Sequence, residues 1–230
     1  MGQAPQTPAS ERLDPEKVAY WYFRLNGFLQ IENFVVHPER RGSQRTDADL
    51  LAVRFPYRAE RLFDDPNDIM ADDVAGLSLS RDQIEVVIVE VKTNQPCTLN
   101  GPWTQSDRKN IHRVLAAVGC LPHADIDQAA TNLYEKGLHD AHNSLRIRLV
   151  AVGKDRSIGL GTKYPQVKQL IWKDFTYKRL HSYRQQKKDV HQWDNHGLKI
   201  KGQAEMAANE ERFVEQMLLL MGVRNDNPGS

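Results

Sequence analysis

Residues 84–92 read IEVVIVEVK, and this stretch decides the fold of the 230-residue chain. Its nearly continuous β-branched residues predict a strand that is buried on both faces, as in the middle of a sheet. Because side chains alternate along a strand, Glu90 and Lys92 share one face with Val86 and Ile88. A carboxylate and an ammonium at the end of an apolar strand are costly unless they are paired, solvated or bound to a metal ion. The end of this strand is therefore a candidate site, with a salt bridge at the rim of the sheet as the plain alternative.

The remaining patterns predict an α/β fold in which one sheet is covered by helices. Asp14, Pro15 and Glu16 are typical of a helix start, and Gly27 ends that helix. The elements expected after it are strands over 28–36, 50–55 and 84–92, helices over 104–118 and 124–136, and a strand over 145–152. The first three strands lack long helices between them, so we expect a meander, with helix 104–118 crossing over to a neighbouring strand. The acidic segment after the second strand predicts a long excursion with a short helix.

Three regions are expected along the chain. They are a disordered lead over 1–12, the α/β core over 13–152, and a helical C-terminal extension over 153–230 that packs on the same domain. The extension is expected to contain a short edge strand at 170–172, a basic helix over 173–188 and a terminal helix over 205–221. The terminal helix is apolar enough to join the core, or to contact a second copy of the chain or another protein.

Composition excludes several classes of protein. No apolar run reaches the roughly 18 residues that a membrane helix needs, and the first ten residues lack the pattern of a secretory signal. Two cysteines, Cys97 and Cys120, are too few for a disulfide framework or a four-cysteine zinc site. These features predict a cytoplasmic protein with no membrane segment.

Charge is unevenly distributed, although the formal net charge is only +1. Residues 60–90 contain nine Asp or Glu against two Arg, a balance of −7. Residues 168–201 contain nine Lys or Arg against three Asp, a balance of +6. This polarity fits a polyanion that binds one face of the protein, or two ordinary solvated faces.

A second carboxylate, Asp49, directly precedes the predicted strand 50–55. If that strand runs antiparallel to the one that ends with Glu90 and Lys92, Asp49 approaches both side chains. Two carboxylates and an amine at one sheet edge suit a hard divalent cation that is held by oxygens and several waters. Asp47 lies two residues earlier on the same face, so alternation leaves both aspartates open. We prefer Asp49 because it adjoins the apolar run.

Asp49 before an apolar strand, with Glu90-Val91-Lys92 closing a β-rich strand, resembles the motif of the PD-(D/E)xK, or restriction-endonuclease-like, nuclease superfamily. Ala48 stands where the proline that gives the motif its name would be. The segments similar to the superfamily's resolvase-like branch are Glu16-Lys17-Val18-Ala19, Asn26-Gly27-Phe28 and Glu32-Asn33. The expected order of helix, three-strand meander, helix and strand is also that of the superfamily's core, and the resemblance covers about 14–152.

The resemblance implies a nuclease that depends on Mg²⁺ or Mn²⁺. Asp49 and Glu90 would be metal ligands together with the Val91 carbonyl, and Lys92 would activate water. Glu16 would correspond to the acid in the first helix that some members use to position a second metal ion or a water. The implied reaction is hydrolysis of phosphodiester bonds in nucleic acid, with DNA favoured over RNA.

Basic and polar residues around this motif are candidates for phosphate contacts. The basic ones are Arg40, Arg41 and Arg45 before Asp49, and Lys178, Arg179, Arg184, Lys187 and Lys188 in the basic helix. A solvated loop and an ordinary amphipathic helix are the alternatives. Residues near the start of helix 104–118 could turn a helix N-terminus towards the site, or could simply begin a capped surface helix. They are Trp103, Gln105, Asp107, Lys109 and Asn110.

Two other functions stay open at this point. The chain could keep the same fold without catalysis and act as a nucleic-acid-binding or scaffolding subunit of a defence or repair complex. It could also be a structural protein that forms a homodimer or binds a protein partner through its terminal helix.

Overall fold

The computed structural model of the chain describes residues 12–36, 46–58, 72–141, 145–175 and 194–224. These residues form a mixed α/β fold with one six-stranded sheet and helices on both of its faces. The strands are β1 (Leu29–Val36), β2 (Thr46–Arg54), β3 (Ile84–Val91), β4 (Leu138–Ala141), β5 (Leu145–Gly153) and β6 (Lys168–Ile171). The helices are α1 (Pro15–Leu25), α2 (Val74–Leu77), α3 (Gly101–Thr104), α4 (Asn110–Val118), α5 (Ile126–Lys136), α6 (Ile158–Lys163), α7 (Trp172–Phe175), α8 (Asn195–Met206) and α9 (Glu210–Met221).

The sheet has the spatial order β1-β2-β3-β5-β4, and β6 pairs with the second half of β5. The expected meander is confirmed, because β1, β2 and β3 pair antiparallel in chain order. The chain then crosses over through α3, α4, α5 and β4 to reach β5, which pairs parallel to β3. Three of the five strand pairings are antiparallel, so the sheet is mostly antiparallel.

The central position of β3 follows from its sequence. Every residue of β3 except Ile84 is buried. Val87 and Val89 belong to an apolar cluster with α1, α8 and α9 on one face of the sheet. Val86 and Ile88 belong to a second cluster with α4 and α5 on the other face. The prediction that this strand is buried on both sides is confirmed.

Two predicted helices are wrong in their extent. The segment 104–118 is not one helix, because α3 ends at Thr104, a 3₁₀ turn follows at Ser106–Arg108, and α4 begins at Asn110. The break occurs at Lys109, whose φ of 53° lies in the left-handed region and cannot continue a helix. The segment 205–221 is likewise divided between α8 and α9. The short helix expected in the acidic excursion is present as α2, whereas β4 was not expected.

The C-terminal helices pack against α1. The Leu13 N–H donates to the Leu220 carbonyl at 3.0 Å, and Phe213, Met217 and Met221 are buried in the same cluster as α1. The apolar face of α9 is therefore occupied within this chain, and a homodimer or partner contact through this helix stays a prediction. In the described part of the chain, no helix has the length and apolarity needed to cross a membrane.

Several sequence-based predictions lie outside the described residues. They concern residues 1–11 of the predicted lead over 1–12, the predicted loop that carries Arg40, Arg41 and Arg45, and the part of the predicted basic helix that carries Lys178, Arg179, Arg184, Lys187 and Lys188. Only the start of the basic segment is described, as α7. The expected edge strand is present as β6, which begins two residues and ends one residue earlier than predicted.

Candidate functional site at the end of β3

Asp49 is the residue of β2 that directly precedes the backbone pairing with β3, and its side chain reaches the end of β3. The last registered pair is Leu50 with Val89. The Val91 N–H then donates to Asp49 Oδ2 at 2.6 Å, so the carboxylate takes the place of a backbone acceptor. The proximity expected from antiparallel pairing is thus present, and it is fixed by a hydrogen bond to a charged acceptor.

Glu90 is the most enclosed carboxylate of the site, with only 2% of its surface exposed. Its Oε1 accepts hydrogen bonds from Lys92 Nζ and Asn100 Nδ2. Its Oε2 accepts a hydrogen bond of 2.8 Å from Trp103 Nε1. Three donors from two parts of the chain therefore surround one carboxylate, as a buried charge requires.

Lys92 is held through its backbone while its side chain stays partly exposed. Its N–H donates to the Val152 carbonyl at 2.9 Å, and its own carbonyl accepts from Trp172 Nε1 at 3.0 Å. The side chain is 20% exposed and forms an ion pair with Glu90. The ammonium therefore lies at the boundary between the buried carboxylate and solvent.

Glu16 adds a third acid from the first turn of α1. Asp14 caps this helix by accepting from the Glu16 N–H at 3.0 Å. Burial raises the pKa of Glu16 from 4.5 to about 7, and repulsion from Asp49, Asp14 and Asp47 adds to the rise. The N-terminus of α1 therefore lies close enough to the start of β2 for their carboxylates to repel one another.

The other two carboxyl groups are perturbed in the same direction. Burial raises the pKa of Asp49, against the opposing effects of the Val91 N–H and Lys92. Burial also raises the pKa of Glu90, against the hydrogen bond from Lys92, and the charge of Asp49 raises it further. The site thus has an excess of negative charge that the Lys92 ammonium does not balance, and a bound cation would relieve it.

The two aspartates of β2, Asp47 and Asp49, make different contacts. Asp47 is in register with Val35 of β1, and it raises the pKa of both Asp49 and Glu16 by repulsion. The hydrogen bond that joins β2 to the end of β3 comes from Asp49. This contact distinguishes two residues that alternation along the strand left equivalent.

Asn100 is the site residue that sequence reasoning missed. It lies in the loop after β3, directly before Gly101 and Pro102, and this turn-forming run starts a short helix that brings Trp103 under the strand end. Trp103 could have indicated from the sequence that this loop contacts Glu90, since a buried indole N–H requires an acceptor and Glu90 is close by in sequence. Of the other polar residues expected near the start of this helix, Asn110 donates to the Pro102 carbonyl at 3.2 Å and supports the turn.

Comparisons of the chain with family models, curated proteins and solved structures found no match. The chemistry of the site is therefore inferred from its own residues.

The carboxylate oxygens of Asp49 and Glu90 fit a magnesium-type ion that keeps most of its waters. Among the residues that the structure describes, no three His, Cys, Asp or Glu side chains form a ready-made metal site. Mg²⁺, however, commonly takes only one or two carboxylates from a protein. A carboxylate has about four acceptor positions, and the hydrogen bonds to Glu90 use three of them. Asp49 Oδ1 has no hydrogen-bond donor in the described part of the chain, so each of the two carboxylates retains a position for a cation.

Proposed function

We propose that the chain is a metal-dependent nuclease of the PD-(D/E)xK type that hydrolyses phosphodiester bonds in nucleic acid, more specifically in DNA. The observation that carries this proposal is the hydrogen bond from the Val91 N–H to Asp49. It joins the carboxylate of one strand to the Glu90–Lys92 pair of the next, at the open end of a three-strand meander that follows a helix. This is the arrangement that the resemblance in sequence implies.

Each residue of the site has a distinct part in the proposed reaction. A bound Mg²⁺ or Mn²⁺ would neutralise the scissile phosphate and lower the pKa of a water. Asp49 and Glu90 would hold the ion, together with the Val91 carbonyl, which points to the same side of β3 as the Val91 N–H. Lys92 Nζ would turn from Glu90 to the attacking water or to a phosphate oxygen. Glu16, with a pKa of about 7, could take up a proton from water near neutral pH.

A nucleic acid substrate is also favoured by three arginines in the sequence between β1 and β2. Val36 and Thr46, which border residues 37–45, are paired at the same end of the sheet as Asp49. Arg40, Arg41 and Arg45 themselves lie outside the described residues. Their contacts with a bound phosphate backbone are a prediction.

The proposal is tested by a cleavage assay on single-stranded, duplex and branched DNA and on RNA, with Mg²⁺ or Mn²⁺. Asp49→Asn, Glu90→Gln and Lys92→Met are each expected to lower cleavage by at least about 100-fold. Asp47→Asn is the matched control on the same strand, and it should retain most of the activity. Circular dichroism establishes that each variant is folded. Full cleavage by all three site variants would place the reaction elsewhere.

A second candidate function is a nucleic-acid-binding or scaffolding subunit without catalysis. The observation that favours it is the near-complete enclosure of Glu90, whose three hydrogen bonds would also suit a purely structural carboxylate. Calorimetry with Mn²⁺ separates the two functions. A nuclease site should bind Mn²⁺ and lose that binding in Glu90→Gln, whereas a structural carboxylate should give no Glu90-dependent heat.

A further inference from the structure

The three donors around Glu90 are of two different kinds. Asn100 and Trp103 lie at the start of α3, and we call this pair the carboxylate clamp. Asn100 Nδ2 donates to Oε1 and Trp103 Nε1 donates to Oε2, so the clamp contacts both oxygens of the carboxylate. Because the two oxygens are fixed independently, the clamp determines the plane in which the carboxylate lies. The third donor, Lys92, comes from the same strand as Glu90.

The clamp is anchored by Trp103, which is buried. Trp103 is 1% exposed and belongs to the apolar cluster of α4 and α5. Its backbone N–H donates to the Asn100 carbonyl at 3.0 Å, which closes the turn between the two clamp residues. The Asn110 side chain, at the start of α4, donates a hydrogen bond to the Pro102 carbonyl. Trp103 cannot leave Glu90 without disturbing this packing, whereas Asn100 is exposed and is held by its place in the turn.

Lys92 differs from the two clamp residues in the length and flexibility of its side chain. Its ammonium is carried on a flexible stem of four methylene groups, and its side chain is 20% exposed. It shares Oε1 with Asn100, so this oxygen keeps a hydrogen bond when the ammonium moves away. Of the two donors to Oε1, Lys92 therefore has the longer and more flexible side chain, so its ammonium is the one that can move away.

We propose that Asn100 and Trp103 are positioning residues that hold Glu90 in its metal-binding orientation, and that Lys92 alone is released from Glu90 when the cation binds. This inference rests on the proposed function and adds to it a division of labour around Glu90. The clamp fixes the ligand in advance, so the ion does not have to order it. The released ammonium becomes available for the phosphate or the water at the moment the ion arrives.

A purely structural clamp would give different results. Its two hydrogen bonds would then serve only to satisfy a buried carboxylate, and their loss would lower the free energy of unfolding without changing the affinity of the folded protein for a metal ion. Outer partners that orient a metal ligand, by contrast, typically change the affinity for the metal by about 10- to 100-fold. Metal affinity measured on folded protein therefore separates the two roles.

The experiment uses the full chain and Mn²⁺ alone, measured by calorimetry. Trp103→Phe removes the indole N–H but keeps an aromatic ring, and Asn100→Ala removes the other donor. Trp172→Phe is the matched control, because Trp172 is equally buried and donates its indole N–H to the Lys92 carbonyl rather than to Glu90. We expect Mn²⁺ to bind at least about 10-fold more weakly to both clamp variants, and with nearly unchanged affinity to the control.

A spectroscopic measurement on the wild-type chain makes the test independent of how well the variants fold. The chain has four tryptophans, whose indole N–H groups give separate signals in nitrogen-15 NMR. During a Mg²⁺ titration the Trp103 signal should shift until the site is saturated, and its proton should stay protected from exchange because the clamp remains closed. The Trp172 signal should shift less.

The outcomes distinguish this inference from the proposed function. If wild-type protein binds neither Mn²⁺ nor Mg²⁺, the proposed function fails and the clamp loses its role with it. If the wild type binds Mn²⁺ and both clamp variants bind it as tightly as Trp172→Phe does, the clamp is only structural and the inference alone is overturned. Loss of exchange protection at Trp103 on addition of Mg²⁺ would also contradict it, because the clamp would then open.

Discussion

Replacement of Glu16 by glutamine should make the metal-free protein more stable at pH 8. The pKa of Glu16 is raised from 4.5 to about 7, first by burial and then by repulsion from neighbouring carboxylates. The unfolded chain therefore loses this proton at a lower pH than the folded chain does. Between pH 4.5 and 7 the ionisation of Glu16 progressively destabilises the fold, and above pH 7 the full loss of stability is present.

The size of the effect follows from the rise in pKa. Taken at face value, the rise corresponds to ~3 kcal/mol. Glu16 is only half-buried, so solvent screening reduces this to about 1 kcal/mol. A change of that size in a protein of this length shifts the melting temperature by about 2–4 °C.

The assay is thermal unfolding followed by circular dichroism in the presence of a chelator, at pH 4.5 and at pH 8. Glu16→Gln should melt above the wild type at pH 8 and close to it at pH 4.5. Glu135→Gln, at an exposed position of α5, is the control and should show no such dependence on pH. An equal shift at both pH values, or a less stable variant at pH 8, would refute the electrostatic account of the site.

Two further predictions concern the frame that holds the site, and both are measured by urea denaturation. Glu85→Gln should lower the free energy of unfolding by about 3 kcal/mol. Glu85 is fully buried in an ion pair with Arg148, which is itself only 4% exposed. A loss well below about 1 kcal/mol would contradict this prediction. Gly153→Ala should cost about 1–3 kcal/mol, because its Cβ would lie 2.5 Å from the Cys97 nitrogen. Gly202→Ala, with nothing within 4 Å, should be neutral or stabilising, and equal effects of the two alanines would be the wrong result.

The parts of the fold that sequence predicted are those that depend on the burial of whole elements. Residues 84–92 are so apolar that only a central strand can accommodate them, and β3 is that strand. The position of Asp49 followed from antiparallel pairing. The strand was expected to start just after Asp49, but β2 begins at Thr46 and therefore includes Asp49. Glu16 was a candidate through the family resemblance, but its repulsion by the aspartates of β2 was not predicted.

The parts that sequence did not predict depend on single backbone angles or on packing between distant segments. Nothing in the composition of 104–118 indicates that Lys109 adopts a left-handed conformation and divides the helix. The four residues of β4 are too few and too polar to show an alternating pattern, and they form a strand because β5 offers an edge. Asn100 was missed because its contact with Glu90 arises only when α3 packs under the end of β3.

The most direct test of the account is anomalous diffraction from crystals of the full chain soaked in Mn²⁺. The account predicts a single strong peak at the end of β3, within coordination distance of the carboxylates of Asp49 and Glu90, with the Lys92 ammonium turned away from Glu90. No peak at this position, in crystals that show Mn²⁺ elsewhere or not at all, would contradict the claim that these two carboxylates hold a cation.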